Sequence, residues 1–130
     1  MQRVVLDTNI LIDFLRQPKK ATLFRRLLQK KKLKILLPAV VLTELYVGKS
    51  AARASGERRV KNILKKVDLV LADQKISRRA GVLMREYPHL YLADALVAAT
   101  ALKEKAHLCT FNRSHFKEIS GLKFFAREKK

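Results

Sequence analysis

Short runs of β-branched or Leu-rich residues alternate along this chain with longer stretches whose apolar residues recur at helical spacing, and that alternation specifies a parallel sheet with covering helices. Val4, Val5 and Leu6 form the first run. Ile35, Leu36 and Leu37 form the second, stopped by Pro38, and Leu69, Val70 and Leu71 the third. His107, Leu108, Cys109 and Thr110 make a fourth, and Phe124 with Phe125 a weak fifth. Between them, residues 19–32 set Phe24, Leu27 and Leu28 on one helical face and leave Lys19, Lys20, Arg25, Arg26, Lys30 and Lys31 outside it. Val60, Ile63, Leu64 and Val67 mark another helix; Ile76, Ala80, Leu83, Met84 and Tyr87 mark the next, with Asp73 placed to cap its start. These stripes read as core. At 130 residues, with no linker, repeat or low-complexity tract, the chain is expected to form a single domain over 1–130.

Charge narrows the class of partner. Lys and Arg number 29 against 11 Asp and Glu, a net charge of +18 that points to a polyanion, nucleic acid above all. A solvated basic surface without a partner is the bland alternative. The opening Met1 to Asp7 has too few apolar residues for a signal peptide, and no stretch approaches the ~20 apolar residues that span a bilayer, so a cytoplasmic protein with no membrane association is expected. A lone Cys109 excludes an internal disulfide and a thiolate metal cage; its apolar neighbours predict a buried thiol.

With so few acids, the informative ones are those set among apolar residues, where an ionised carboxylate is costly unless compensated. Asp7 ends the first strand and should emerge at the carboxyl edge of the sheet, where open α/β folds place ligands. Glu44 is the only charge from Pro38 to Gly48, a helix-length apolar segment that Gly48 is expected to cap. Asp94 is the only charge between Leu90 and Leu102, in the opening turn of an apolar helix. Each has a structural alternative: Asp7 or Asp94 as a helix cap, Glu44 paired with a buried Arg. A parallel sheet would nonetheless bring all three together, since each projects from a strand end or the helix start beside it. Clustered carboxylates repel and raise one another's pKa unless a divalent cation sits among them, and oxygen-only donors favour Mg2+ or Mn2+. Such a site would activate water for attack on a phosphodiester.

Four segments in order carry a resemblance. Val4-Val5-Leu6-Asp7-Thr8-Asn9, Thr43-Glu44-Leu45-Tyr46-Val47-Gly48, Leu92-Ala93-Asp94-Ala95-Leu96-Val97-Ala98-Ala99-Thr100-Ala101 and Leu108-Cys109-Thr110-Phe111-Asn112 together resemble the PIN-domain family, specifically the VapC-type toxins of toxin–antitoxin pairs, from residue 3 to about residue 125. The resemblance implies a three-layer α/β/α sandwich with a four- or five-stranded parallel sheet, Mg2+-dependent or Mn2+-dependent endoribonuclease activity on RNA, a homodimer, and a cognate antitoxin protein. It makes Asp7, Glu44 and Asp94 the catalytic, metal-binding acids, sets Thr8 and Asn9 beside the first of them, and puts Thr110 and Asn112 on the far rim of the pocket. Many relatives carry a fourth acid where this chain has His115, a residue able to ligate a metal, contact a phosphate or shuttle a proton, or simply to line the rim. Three carboxylates suit one Mg2+ with its waters better than two.

Other polar residues read blandly. Asp13 is expected to face solvent or pair with Arg16, and Glu57, Asp68, Glu86, Glu104, Glu118 and Glu128 read as surface charges. Two rivals remain open. An aspartyl-phosphate phosphatase would need an acid two residues after Asp7, where Asn9 stands. A non-catalytic nucleic-acid binder would keep the charge and lose the chemistry, but should show stacking aromatics, and most Phe and Tyr here fall on apolar faces. A housekeeping RNA-processing nuclease is the remaining alternative within the same chemistry.

Overall fold

The computed structural model describes residues 1–126, apart from the side chains of residues 49 and 50. Among the described residues, four strands form one sheet, β1 (Gln2–Leu6), β2 (Leu33–Pro38), β3 (Asp68–Val70) and β4 (His107–Cys109), in the order β3-β2-β1-β4 and parallel throughout. Six α-helices accompany them: α1 (Thr8–Arg16), α2 (Leu23–Leu28), α3 (Ala39–Val47), α4 (Ala54–Leu64), α5 (Gln74–Glu86) and α6 (Leu92–Lys103). From β1 to β3 the chain steps steadily in one direction across the sheet, then β4 returns to the far side of β1. Right-handed crossovers therefore put the helices of the first two connections on one face and those of the third on the other. The direction reverses at β1, so the switch-point crevice opens at the carboxyl end of this strand, directly in front of Asp7.

Val4, Val5, Leu6, Leu36, Leu37 and Leu108 are almost wholly buried, as strands covered on both faces require. Phe24, Leu27, Ile76, Leu83 and Phe116 fill the helical side of the core, and Cys109 is buried as its neighbours predict. Asp73 caps α5, its Oδ1 accepting from the Ile76 amide at 2.9 Å.

The structure shortens several expected elements. The helix foreseen over residues 19–32 is only Leu23–Leu28, because the Thr22 hydroxyl caps it from outside and Gln29 ends it. Lys19, Lys20, Lys30 and Lys31 thus stand in the flanking turns, while the expected apolar residues still face inward. Val67 lies past the end of α4, and β3 begins one residue early, with Leu69 and Leu71 exposed at the sheet border. The expected fifth strand is a single bridge, Leu108 to Phe124, flanked by hydrogen bonds from the Leu108 amide to Lys123 O and from the Phe125 amide to Leu108 O. Gly48 does follow α3, but in an extended conformation (φ −64°, ψ 138°), so the helix ends without a left-handed glycine. Among the described residues no helix is long and apolar enough to cross a membrane.

Candidate functional site

Asp7 leaves β1 with its backbone extended and serves as N-cap of α1, so its side chain turns back over the strand ends. It is 7% exposed, and its oxygens are held from several directions. Oδ1 accepts from the Thr8 amide at 2.9 Å; Oδ2 accepts from the Thr110 hydroxyl at 2.7 Å and from the Asn9 amide nitrogen at 3.3 Å. The cap foreseen as an alternative to a functional role is therefore made by the same carboxylate that faces the crevice. Thr110, the residue after β4, uses its hydroxyl fully: it donates to Asp7 and accepts from the Asn112 amide at 3.0 Å and the Asn9 side chain at 3.3 Å. Asn9 completes the lattice by accepting from the Phe111 amide at 3.1 Å. Asn9 thus supports Asp7 by hydrogen bonding where the phosphatase reading would need an acid.

The other two acids arrive on α3 and α6, which pack against each other. Glu44 accepts from the Thr8 hydroxyl at 2.5 Å, and Asp94, in the first turn of α6, lies 3.5 Å from His115 Nδ1. Glu44 departs from the expectation of a carboxylate enclosed by apolar residues: it is exposed, as are Thr43, Tyr46 and Val47 beside it, because only Val41 and Leu45 of α3 are buried. Asp94 is intermediate, its side chain 19% exposed, and His115 is half exposed at 51%.

Burial pushes the Asp7 carboxyl above its ordinary 3.8, against the lowering effect of the Thr110 and Thr8 hydrogen bonds, and the charge of Glu44 raises it further. Asp94 is raised by burial, then by the charges of Asp7 and Glu44, with His115 pulling the other way. Asp94 therefore feels the charges of both other acids, and Asp7 that of Glu44. Among the described residues, no group of three or more His, Cys, Asp or Glu side chains is arranged to hold a metal ion as placed. The donor set still suits a hard divalent cation: its oxygens are carboxylate and hydroxyl, and two of its acids carry charge at a cost that a cation would relieve.

A stability prediction follows from the direction of these shifts. An acid whose folded pKa is raised contributes its stability fully below the ordinary 3.8, where folded and unfolded chains both hold the proton, and loses it as pH climbs through the raised folded value. The melting temperature should fall as pH rises from the ordinary 3.8 toward neutrality, more steeply in the parent than in Asp7→Asn. Mn2+ at the higher pH should restore part of the loss in the parent alone. Identical pH slopes in the two proteins would remove the argument.

Thr8, Asn9 and Thr110 thus bond to Asp7, Asn112 reaches it only through Thr110, and His115 meets Asp94. Asp13 instead accepts from Gln17 Nε2 at 3.1 Å rather than pairing with Arg16. Glu57 and Glu104 pair with Lys61 and Arg3, Glu118 lies 4.0 Å from His89, Asp68 and Glu86 are exposed, and Glu128 lies outside the described residues. Sequence reasoning overlooked the aromatics: Tyr46, Tyr91 and Phe111 are 40%, 75% and 38% exposed, and each stands within three residues of Glu44, Asp94 or Thr110. Their position beside those polar residues was the available signal.

Comparison with known proteins agrees with this architecture. The chain superposes on VapBC2 from Rickettsia felis, a complex bound to a DNA fragment of its promoter, with TM-score 0.84 and 24% identity over 98% of this chain and 100% of that one. It is similar to a toxin–antitoxin complex from Klebsiella pneumoniae (TM-score 0.74, 29% identity, 92% and 94% covered). It also resembles VapC20 from Mycobacterium tuberculosis, a sarcin-ricin loop cleaving toxin (TM-score 0.61, 18% identity, 80% and 85% covered). No curated protein matches. The PIN domain family model matches residues 4–122, nearly the whole sheet and its helices, and the chain belongs to the PIN domain family.

Proposed function

We propose that this protein is an endoribonuclease dependent on Mg2+ or Mn2+, and the toxin of a toxin–antitoxin pair. PIN domains are nucleases, and the finer reading is supported by the Thr8 hydroxyl bond that joins Glu44 to the residue after Asp7, and by Asp94 lying near enough to feel the charges of both acids, in a chain with net charge +18. An anionic pit inside a cationic protein is what phosphodiester cleavage requires: cations to retain the strand, carboxylates to hold the ion at the scissile phosphate.

Asp7, Glu44 and Asp94 would hold the ion, which when bound supplies a water of lowered pKa and neutralises charge on the phosphate oxygens. The remaining work falls to the chain itself. Thr110 and Asn9 fix Oδ2 of Asp7, and the Thr8 hydroxyl holds Glu44 toward the same crevice. These bonds limit the rotamers of the acids before substrate arrives, so less ordering is left for the bound state. His115, half exposed over Asp94, is placed to donate to an incoming phosphate oxygen.

Exposed Tyr46 and Val47 on α3, with Tyr91 and Leu92 at the start of α6, supply apolar surface for a homodimer or for the antitoxin, whose acidic segment would complement the charge. Incubating the protein with total RNA and Mg2+ or Mn2+, with a chelated control, and mapping the new ends tests the activity. RNA bound but left whole under both ions would favour the non-catalytic reading. Affinity for single-stranded RNA should also fall steeply with salt, with a log-log slope of about −0.7 per phosphate contacted. A flat response would remove the electrostatic argument.

A further inference from the structure

Beside the acids, but separate from them, lies an open depression of about 620 Å3 walled by Phe111, Asn112, Arg113, Ser114 and Ala126. Its size falls in the range of small-molecule sites. The strand-end lattice ties it firmly to the pit: the Phe111 amide donates to Asn9 Oδ1 at 3.1 Å, and the Asn112 amide donates at 3.0 Å to the same Thr110 hydroxyl that holds Asp7. Phe111 as a residue is 38% exposed. Arg113 is held from the opposite side, its guanidinium 5.2 Å from the centre of the Phe124 ring and donating at 2.8 Å to Phe125 O. A planar cation fixed in this way keeps further donors for a ligand and loses little freedom on binding one.

Four consecutive residues therefore present an aromatic face, an amide, an immobilised cation and a hydroxyl at the edge of the carboxylate pit. A nucleotide needs these same groups: a platform for the base, polar groups for its edge, and a cation for its phosphate. We propose that this depression is the subsite for the nucleotide flanking the scissile phosphate, with the base stacked on Phe111 and the phosphate held by Arg113 and Ser114. The proposal rests on the reading of the chain as an RNA-cleaving enzyme and adds where the strand runs as it leaves the acids. It also accounts for the charge distribution, since Arg113 brings a fixed positive group next to a pit whose own side chains are acidic.

The test uses Asp94→Asn protein, which keeps the strand intact, and single-stranded oligoribonucleotides carrying 2-aminopurine at successive positions. Stacking on an aromatic ring quenches that base. One position should be quenched on binding; Phe111→Ala should abolish the quench and weaken affinity roughly tenfold, whereas Phe111→Tyr should keep both. Phe111→Leu preserves apolar volume without a stacking face and should behave as Phe111→Ala, which separates stacking from folding. Arg113→Gln should reduce the salt slope by about 0.7, one phosphate contact. Quenching and affinity unchanged in Phe111→Ala, or failure of the oligonucleotides to bind, would overturn the subsite. Cleavage by the parent is scored separately: parent protein that cuts RNA while Phe111→Ala binds normally loses only the subsite, and parent protein inert with both ions loses the nuclease reading.

Discussion

Asp94→Asn should lower RNA cleavage in Mg2+ or Mn2+ by at least about 100-fold while the protein stays folded and retains its RNA affinity, since groups merely supporting a metal ligand already cost 10- to 100-fold when lost. The substitution preserves shape at the first turn of α6 and removes the charge that the ion would meet. Its effect on stability should have the opposite sign. Burial and the charges of Asp7 and Glu44 raise the Asp94 pKa, so the folded protein holds this carboxylate ionised at a cost. The neutral amide relieves that cost, and the melting temperature near neutral pH should stay level or rise. Activity falling while stability holds cannot be mistaken for misfolding. Turnover equal to that of the parent would end the assignment of Asp94, and a marked drop in melting temperature would show that its charge serves the fold instead.

Phe116→Ala should destabilise the protein by about 3–5 kcal/mol, the range for truncating a buried Phe. Phe116 is fully buried and directly follows the short 3-10 turn Arg113–His115, where its amide bonds to Arg113 O at 2.9 Å. It anchors the loop that carries Asn112, Arg113 and His115, so its loss leaves a cavity and loosens the pit's rim together. Against a total stability of about 5–15 kcal/mol, such a loss would unfold a large part of a marginal population. Urea titration at a fixed protein concentration measures it, with Phe116→Leu, which keeps part of the apolar bulk, expected to cost less than the alanine variant. A cost below about 1 kcal/mol for the alanine variant would mean that the loop is held by something other than this ring.

The parts of the site legible in the sequence were those written in local pattern. Asp7 after three apolar strand residues and Asp94 alone in an apolar helix both stood out, because burial of a strand end or an inward helix turn follows from nearest neighbours. Glu44 stood out for the same reason but is exposed, since an apolar sequence does not say which helix lacks a covering layer. The 19–32 helix was overextended because Lys favours helix almost as well as Leu, while the Thr22 cap and the turns around it decide the boundary. Arg113 was invisible as a site residue: its place depends on Phe124 and Phe125, which reach it only after the tail folds back beside β4. Likewise, the raising of the Asp94 pKa by the charges of Asp7 and Glu44 is a product of tertiary distance, though the acids themselves could be named beforehand.

That returning tail has an effect of its own. By donating and accepting at Leu108, residues 123–125 occupy backbone groups along the outer side of β4 that would otherwise be open to another strand. The far border, at β3, carries exposed Leu69 and Leu71. The sheet is thus hemmed on one side by its own chain, while among the described residues β3 pairs in the sheet with β2 alone.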